Sequence, residues 1–265
     1  MKKALLYTLL VVALQLSVAL LVTLVLQLWF PAISPESATG LIYASIITDA
    51  TLLALFLGFR WCPVSRNYIR TRPWLAIFWT SLLAVGMIIP LALLEEMIPE
   101  SWRIDVTGDA IIKMLHTTEG YFTVCMLGPL MEEVVFRGAI IRALQQGLNL
   151  SPLRGWLWRG LPILISALIF AGVHFNPAQM PHAFIVGCLL GWLFVKTDSI
   201  VLCFLVHWIN NSAAYVAVKM FPTFPLDAPL ADYFGGSTLA VWQAVICSLM
   251  IALPSLYQLN RVLKK

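Results

Sequence analysis

Three groups of polar residues stand inside otherwise apolar stretches of this chain. The first is Glu132-Glu133-Val134-Val135-Phe136-Arg137, the second Phe170-Ala171-Gly172-Val173-His174, and the third His207-Trp208-Ile209-Asn210-Asn211. An ionisable group in hydrocarbon costs about 2.5–3.5 kcal/mol on insertion scales, so such residues usually face a bundle interior or a wet cavity and act there. Carboxylate and imidazole are the side chains that take a proton from water near neutral pH. Glu132 and Glu133 are neighbours and point about 100° apart on an α-helix, so they cannot form a close dyad with each other. Glu133 and Arg137 are spaced i, i+4, share a face and can pair. Glu132 is then left facing elsewhere, free to act as a base. The bland alternative is that all three form a structural salt-bridge knot.

His207 and Asn211 are also one turn apart. Both can donate hydrogen bonds towards one point, the geometry of an oxyanion hole. Polar glue between helices, at about 0.6 kcal/mol per contact, is the competing reading. Asn210 points about 100° away and fits that glue role better. Phe170 shares a face with His174, and Gly172 is expected to let another helix approach closely. His116 and His182 read as ordinary interfacial histidines. Glu132, His174 and His207 could also offer three ligands to zinc, with water as the fourth. There is no His-Glu-x-x-His signature. Asparagine is a poor zinc ligand, and its one-turn spacing from His207 fits hydrogen bonding better. No cofactor is therefore expected.

The elements that must position these residues follow from composition. The chain has 265 residues, 60% of them hydrophobic and only 11% charged. A soluble domain would carry about 25% charged residues. Mean hydropathy is +0.88. The expected class is an all-α, polytopic membrane helical bundle, because lipid admits only helices or a closed barrel. A span needs about 20 apolar residues, which gives about eight: about 4–29, 40–59, 74–94, 119–145, 160–175, 181–196, 199–219 and 238–258. The fourth holds the Glu pair. Gly155-Trp156-Leu157-Trp158-Arg159 reads as an interfacial stretch before the fifth, and Phe221-Pro222-Thr223-Phe224-Pro225 as an interfacial loop.

Basic loops alternate with acidic ones. Lys2 and Lys3, then Arg60, Arg66, Arg70 and Arg72, then Arg142, Arg154 and Arg159, then Arg261, Lys264 and Lys265 all fall on one side if there are eight spans. By the positive-inside rule both termini are then cytoplasmic. The apolar run from Ala4 to Phe30 is longer than the core of a signal peptide, so it reads as a retained first helix. The whole chain, 1–265, reads as a single membrane domain without internal repeats. A net charge of +4 spread over short loops excludes a nucleic-acid partner. Five cysteines without a CxxC pair give neither a disulfide framework nor a zinc ribbon. The residues carry no signal for oligomeric state.

Glu-Glu-x-x-x-Arg, Phe-x-x-x-His and His-x-x-x-Asn, in that order and each inside a hydrophobic span, resemble the CAAX protease and bacteriocin-processing (CPBP, or Abi) family of intramembrane glutamic endopeptidases. The motif region covers about residues 119–219. The resemblance implies that Glu132 and His174 activate a water for attack on the scissile carbonyl. It implies that His207 and Asn211 hold the oxyanion, and that Glu133 and Arg137 support the site. The substrate would be a membrane-associated or lipid-modified, CAAX-type protein or peptide, and the setting a bacterial plasma (inner) membrane. Two other classes compete. One is a non-catalytic scaffold of the same kind. The other is a small transporter with a Glu-Arg-His pathway, although transporters often show repeats and this chain has none. If the enzyme reading holds, the three motifs converge on one polar, water-accessible place, with the Glu132 carboxylate and the His174 ring in reach of one water.

Overall fold

The structure is a computed structural model, and it describes residues 1–63, 67–99, 102, 108–147, 156–222 and 228–264. Every regular element among them is helical. The principal helices are α1 (Lys2–Trp29), α2 (Ala38–Gly58), α3 (Trp74–Glu96), α4 (the helical run 118–147), α5 (Trp156–Gly172), α6 (Met180–Thr197), α7 (Val201–Met220) and α8 (Thr238–Val262). Short helices lie at Asn67–Arg70, Gly108–Leu115 and Leu230–Tyr233. Hydroxyl caps start several helices: Ser37 accepts from the Gly40 amide at 3.2 Å, Thr117 from Gly120 at 2.9 Å and Ser237 from Ala240 at 3.2 Å. Such a cap satisfies an amide that has no partner inside the helix.

Six helices (α1, α2, α3, α6, α7 and α8) are long and apolar enough to cross a membrane. The chain is thus a helical, multi-pass membrane protein. The expected fourth and fifth spans differ from the other six. The fourth, α4, is helical throughout but not one regular α-helix. It runs as α over Thr118–Tyr121, π over Phe122–Leu127, α over Gly128–Glu132, π over Glu133–Ile141 and α over Arg142–Gly147. The fifth, α5, has a shorter apolar core, Gly160–Gly172. It stops there because the chain turns left-handed at Phe175, with φ 52°, a region that a non-glycine residue seldom enters. The side chains of the expected interfacial stretch 155–159 and most of the Pro-rich loop 221–225 lie outside the described residues.

Two large hydrophobic clusters and a smaller one around Leu115, Cys125 and Val218 build the bundle. In one, Leu52 and Phe56 of α2 and Phe170 of α5 pack with Val135, Phe136 and Ile140 of α4. In the other, Leu83 of α3, Leu190 and Leu193 of α6 and Leu202 and Val206 of α7 pack with Ile141 of α4. All nine residues of Glu133–Ile141 are buried, so α4 is the central post and carries its ionisable residues inside the bundle. Close helix approach uses glycine, but not the expected one. A Cβ at Gly172 would meet nothing within 4 Å, whereas one at Gly187 of α6 would sit 3.1 Å from Ala167 of α5. The small residue that lets α5 and α6 touch is therefore Gly187. All five cysteines are free thiols.

Candidate active site

Glu133 is the hub of the polar residues. It is fully buried on the inward side of α4, and its Oε1 accepts from Arg137 Nη1 at 3.1 Å, with side-chain exposures of 0% and 1%. The same Oε1 binds His207 Nδ1 of α7 at 2.8 Å. A carboxylate oxygen can only accept, so that Nδ1 carries a proton. The other ring nitrogen of His207, Nε2, faces Glu132 Oε2 at 3.6 Å. That is too long for a hydrogen bond, and Glu132 Oε2 has no hydrogen-bond partner among the described residues. Glu132 is 27% exposed against 0% for Glu133, so of the two neighbours Glu132 is the one that solvent or a substrate can reach.

Phe170 ties the second motif to the other two. Its ring meets the His174 ring at 4.8 Å and the His207 ring at 5.8 Å, both edge to face. The Arg137 guanidinium carbon sits 4.4 Å from the same ring centroid, within cation–π range. The phenylalanine thus forms an apolar wall shared by both histidines and the buried cation. His174 follows the end of α5, and its Nδ1 lies 2.7 Å from the Phe170 carbonyl. A carbonyl only accepts, so the Nδ1–H donates and, in the neutral ring, Nε2 keeps its lone pair. That is the tautomer a base needs. The left-handed Phe175 immediately after it turns the chain away, so that His174 folds back over Phe170.

Asn211 is held differently from the expectation of two donors aimed at one point. Its amide Nδ2 donates to the Val124 carbonyl of α4 at 3.0 Å, and its Oδ1 faces Asn210 Nδ2 at 3.5 Å. One amide hydrogen remains uncommitted. Around it Trp208 Nε1 donates to Tyr121 Oη at 2.9 Å, and Tyr121 Oη meets Ser212 Oγ at 3.3 Å. These contacts lock α7 against the first π stretch of α4. His182 pairs with Glu95 Oε1 at 2.6 Å and His116 lends its carbonyl to Lys219 Nζ at 2.8 Å, both apart from this site.

One acid of the site was not singled out from the sequence. Asp49 of α2 is only 7% exposed and stands within electrostatic reach of Glu132. A lone acid inside an apolar span is itself a signal of function, and that signal was present in the sequence. Among the described residues no group of three or more His, Cys, Asp and Glu is arranged to hold a metal ion.

The fold and the site together define a helical membrane protein with carboxylate, imidazole and guanidinium groups gathered in its interior. A protein-family model, Rce1-like, described as type II CAAX prenyl endopeptidase Rce1-like, matches residues 115–213. That stretch contains all three motifs, and the resemblance read from them is borne out over it. No curated protein and no solved structure gives a significant match.

Proposed function

We propose that this chain is an intramembrane endopeptidase that hydrolyses a peptide bond of a membrane-associated or lipid-modified, CAAX-type substrate with a water activated by Glu132 and His174. The observation that supports it best is the meeting of the three motifs. Glu133 binds Arg137 and His207 through one oxygen, and one phenylalanine ring touches both histidines. The match to an endopeptidase family over residues 115–213 points the same way.

The chemistry follows from which atoms are free. Among the described residues no donor is bonded to the buried Glu132 Oε2, and His174 Nε2 keeps its lone pair because Nδ1–H is held by the Phe170 carbonyl. A water between them loses a proton to this pair as its oxygen attacks the carbonyl carbon, and the proton is then returned to the leaving amine. The developing oxyanion needs donors. Asn211 has one uncommitted amide hydrogen. His207, with Nδ1–H fixed on Glu133, offers an Nε2–H when its ring is protonated. In that state two carboxylates (Glu132, Glu133) and two cations (Arg137, His207) balance, which limits the cost of burying them. Metal plays no part in this scheme.

The test is cleavage of a CAAX-type peptide, prenylated and unprenylated, by protein purified in detergent. Wild type should cleave, and Glu132→Ala and His174→Ala should not, because each loses the base that makes water nucleophilic. Activity should survive exhaustive removal of divalent metal. Full activity of Glu132→Ala would overturn the assignment. Activity lost to a chelator and restored by stoichiometric zinc would replace it with a metalloprotease.

A further inference from the structure

Tyr121 is the last residue of the first α-turn of α4, Thr118–Tyr121, and the π stretch Phe122–Leu127 follows it. That turn is anchored at its start, where Thr117 Oγ1 accepts from the Gly120 amide at 2.9 Å. From this fixed backbone the Tyr121 side chain reaches α7. Its Oη accepts from Trp208 Nε1 at 2.9 Å, since an indole N–H can only donate. The same Oη lies 3.3 Å from Ser212 Oγ. Trp208 and Ser212 are spaced i, i+4 and so stand one turn apart on α7. One hydroxyl thus brackets two successive turns of a helix, which fixes both its rotation and its height. The ring adds a further contact, 4.7 Å from the Tyr215 ring, and both rings pack on Leu115, Cys125 and Val218.

Each bracketed residue directly follows a residue of the site: Trp208 follows His207, and Ser212 follows Asn211. His207 is also fixed by its 2.8 Å bond to Glu133, so Asn211 is the donor that depends on the bracket. The π stretch meets Asn211 as well. The Val124 carbonyl accepts from its Nδ2 at 3.0 Å, and Cys125 Sγ donates to its backbone carbonyl at 3.4 Å. The χ2 torsion of asparagine is soft, so the Val124 bond by itself lets the amide follow any movement of α7. Catalytic donors tolerate little of this, because a misplacement of about 1 Å can cost about 10²-fold in rate.

We propose that Tyr121 is a positioning residue for the oxyanion donor Asn211, acting through Trp208 and Ser212. The consequence for rate rests on the hydrolytic reading above, but the placement of the Asn211 amide does not. Removing the Tyr121 hydroxyl keeps the ring packed against Tyr215 and releases α7 to turn about its axis. The transition state, which needs the donor aligned, then loses more than the bound substrate does.

The first measurement is independent of cleavage. In detergent-purified protein with nitrogen-15 in its asparagine side chains, the Asn211 amide signal is assigned by its loss in Asn211→Ala. That signal should shift in Tyr121→Phe. It should stay in place in Ser166→Ala, which loosens the contact of α5 with the Phe136 carbonyl instead. An unmoved signal in Tyr121→Phe overturns the proposal, whatever the protein cleaves. The second measurement is kinetic. Tyr121→Phe should lower kcat about tenfold to 10²-fold with KM close to wild type. In an Asn211→Ala background the same substitution should cost less than about twofold, because the donor it positions is already gone. Equal fold-losses in the two backgrounds would overturn the positioning role. Trp208→Phe breaks the bracket from the α7 side and should repeat both results, which covers a poorly folding Tyr121→Phe. Full cleavage by Glu132→Ala would sink the hydrolytic reading instead, and the amide signal would still decide the placement.

Discussion

Arg137 heads the largest fully buried side chains of the described protein, and it is a cation. One contact holds most of its charge, the 3.1 Å bond to Glu133, while its Nε and Nη2 have no partner among the described residues. The face of its guanidinium lies against Phe170, 4.4 Å from the ring centroid. Removing one partner of a buried ion pair leaves the other as a lone charge, at a cost of about 3–5 kcal/mol. Arg137→Ala should therefore lower the folded yield and the thermal midpoint in detergent. The double variant Glu133→Gln/Arg137→Ala should regain part of the loss, because no unpaired carboxylate stays buried. Size-exclusion profiles and thermal midpoints of the three proteins check this. Equal stability of Arg137→Ala and wild type would show that the pair is not what holds α4 in register.

At the scale of the element, α4 shows what spacing can and cannot reveal. The i, i+4 rule finds the Glu133–Arg137 pair, and the order of the three motifs finds the residues that meet at Phe170. The π winding on either side of Glu132 has no such signature, since a continuous apolar run fits either period. Its effect is physical. A π insertion leaves a carbonyl without its usual amide partner. Two carbonyls inside these stretches take donors from neighbouring helices: Val124 from Asn211 at 3.0 Å and Phe136 from Ser166 Oγ at 3.3 Å. Asp49 carries a weaker signature, because the polar residue one turn before it, Ser45, is a hydroxyl and not a second ionisable group, and Gly172 misleads because it ends a helix instead of lining one. The two clamps separate structure from chemistry. Ser166→Ala should cost about 0.5–1.5 kcal/mol of stability, the worth of one hydrogen bond, with cleavage retained. Asn211→Ala should lose about 10²–10³ in rate, as expected for an oxyanion donor, beyond any similar loss of stability. Matched rates for the two variants would reduce Asn211 to a clamp.

For the whole molecule, contacts at the helix ends bear on how many times the chain crosses. At one end Met1 packs on Gly147, and Arg142 reaches both the Pro63 carbonyl at 3.2 Å and Asp198 at 2.6 Å. The N-terminus, the loop after α2, the end of α4 and the α6–α7 turn therefore share one end of the bundle. At the other end Glu95 meets His182 at 2.6 Å, Glu96 accepts from the Leu230 amide at 3.0 Å and Lys219 reaches the His116 carbonyl at 2.8 Å. If only the six long helices crossed, α4 would begin and end on the same side, and Arg142 could not touch Asp198. In the expectation of about eight spans, α4 runs from one end of the bundle to the other and α5 returns, which is consistent with the Arg142–Asp198 contact. Lys2, Lys3, Arg60, Arg142 and Lys196 belong to the first end, and excess Lys and Arg mark the cytoplasmic side. A reporter fused after Gln146 should therefore read cytoplasmic, as should one fused at Lys265. The Gln146 fusion is the informative one, because six and eight crossings both return Lys265 to the side of the N-terminus. An extracytoplasmic signal after Gln146 with a cytoplasmic one at Lys265 would mean that α4 and α5 do not cross, and the central post that carries Glu132 would have to be placed differently in the membrane.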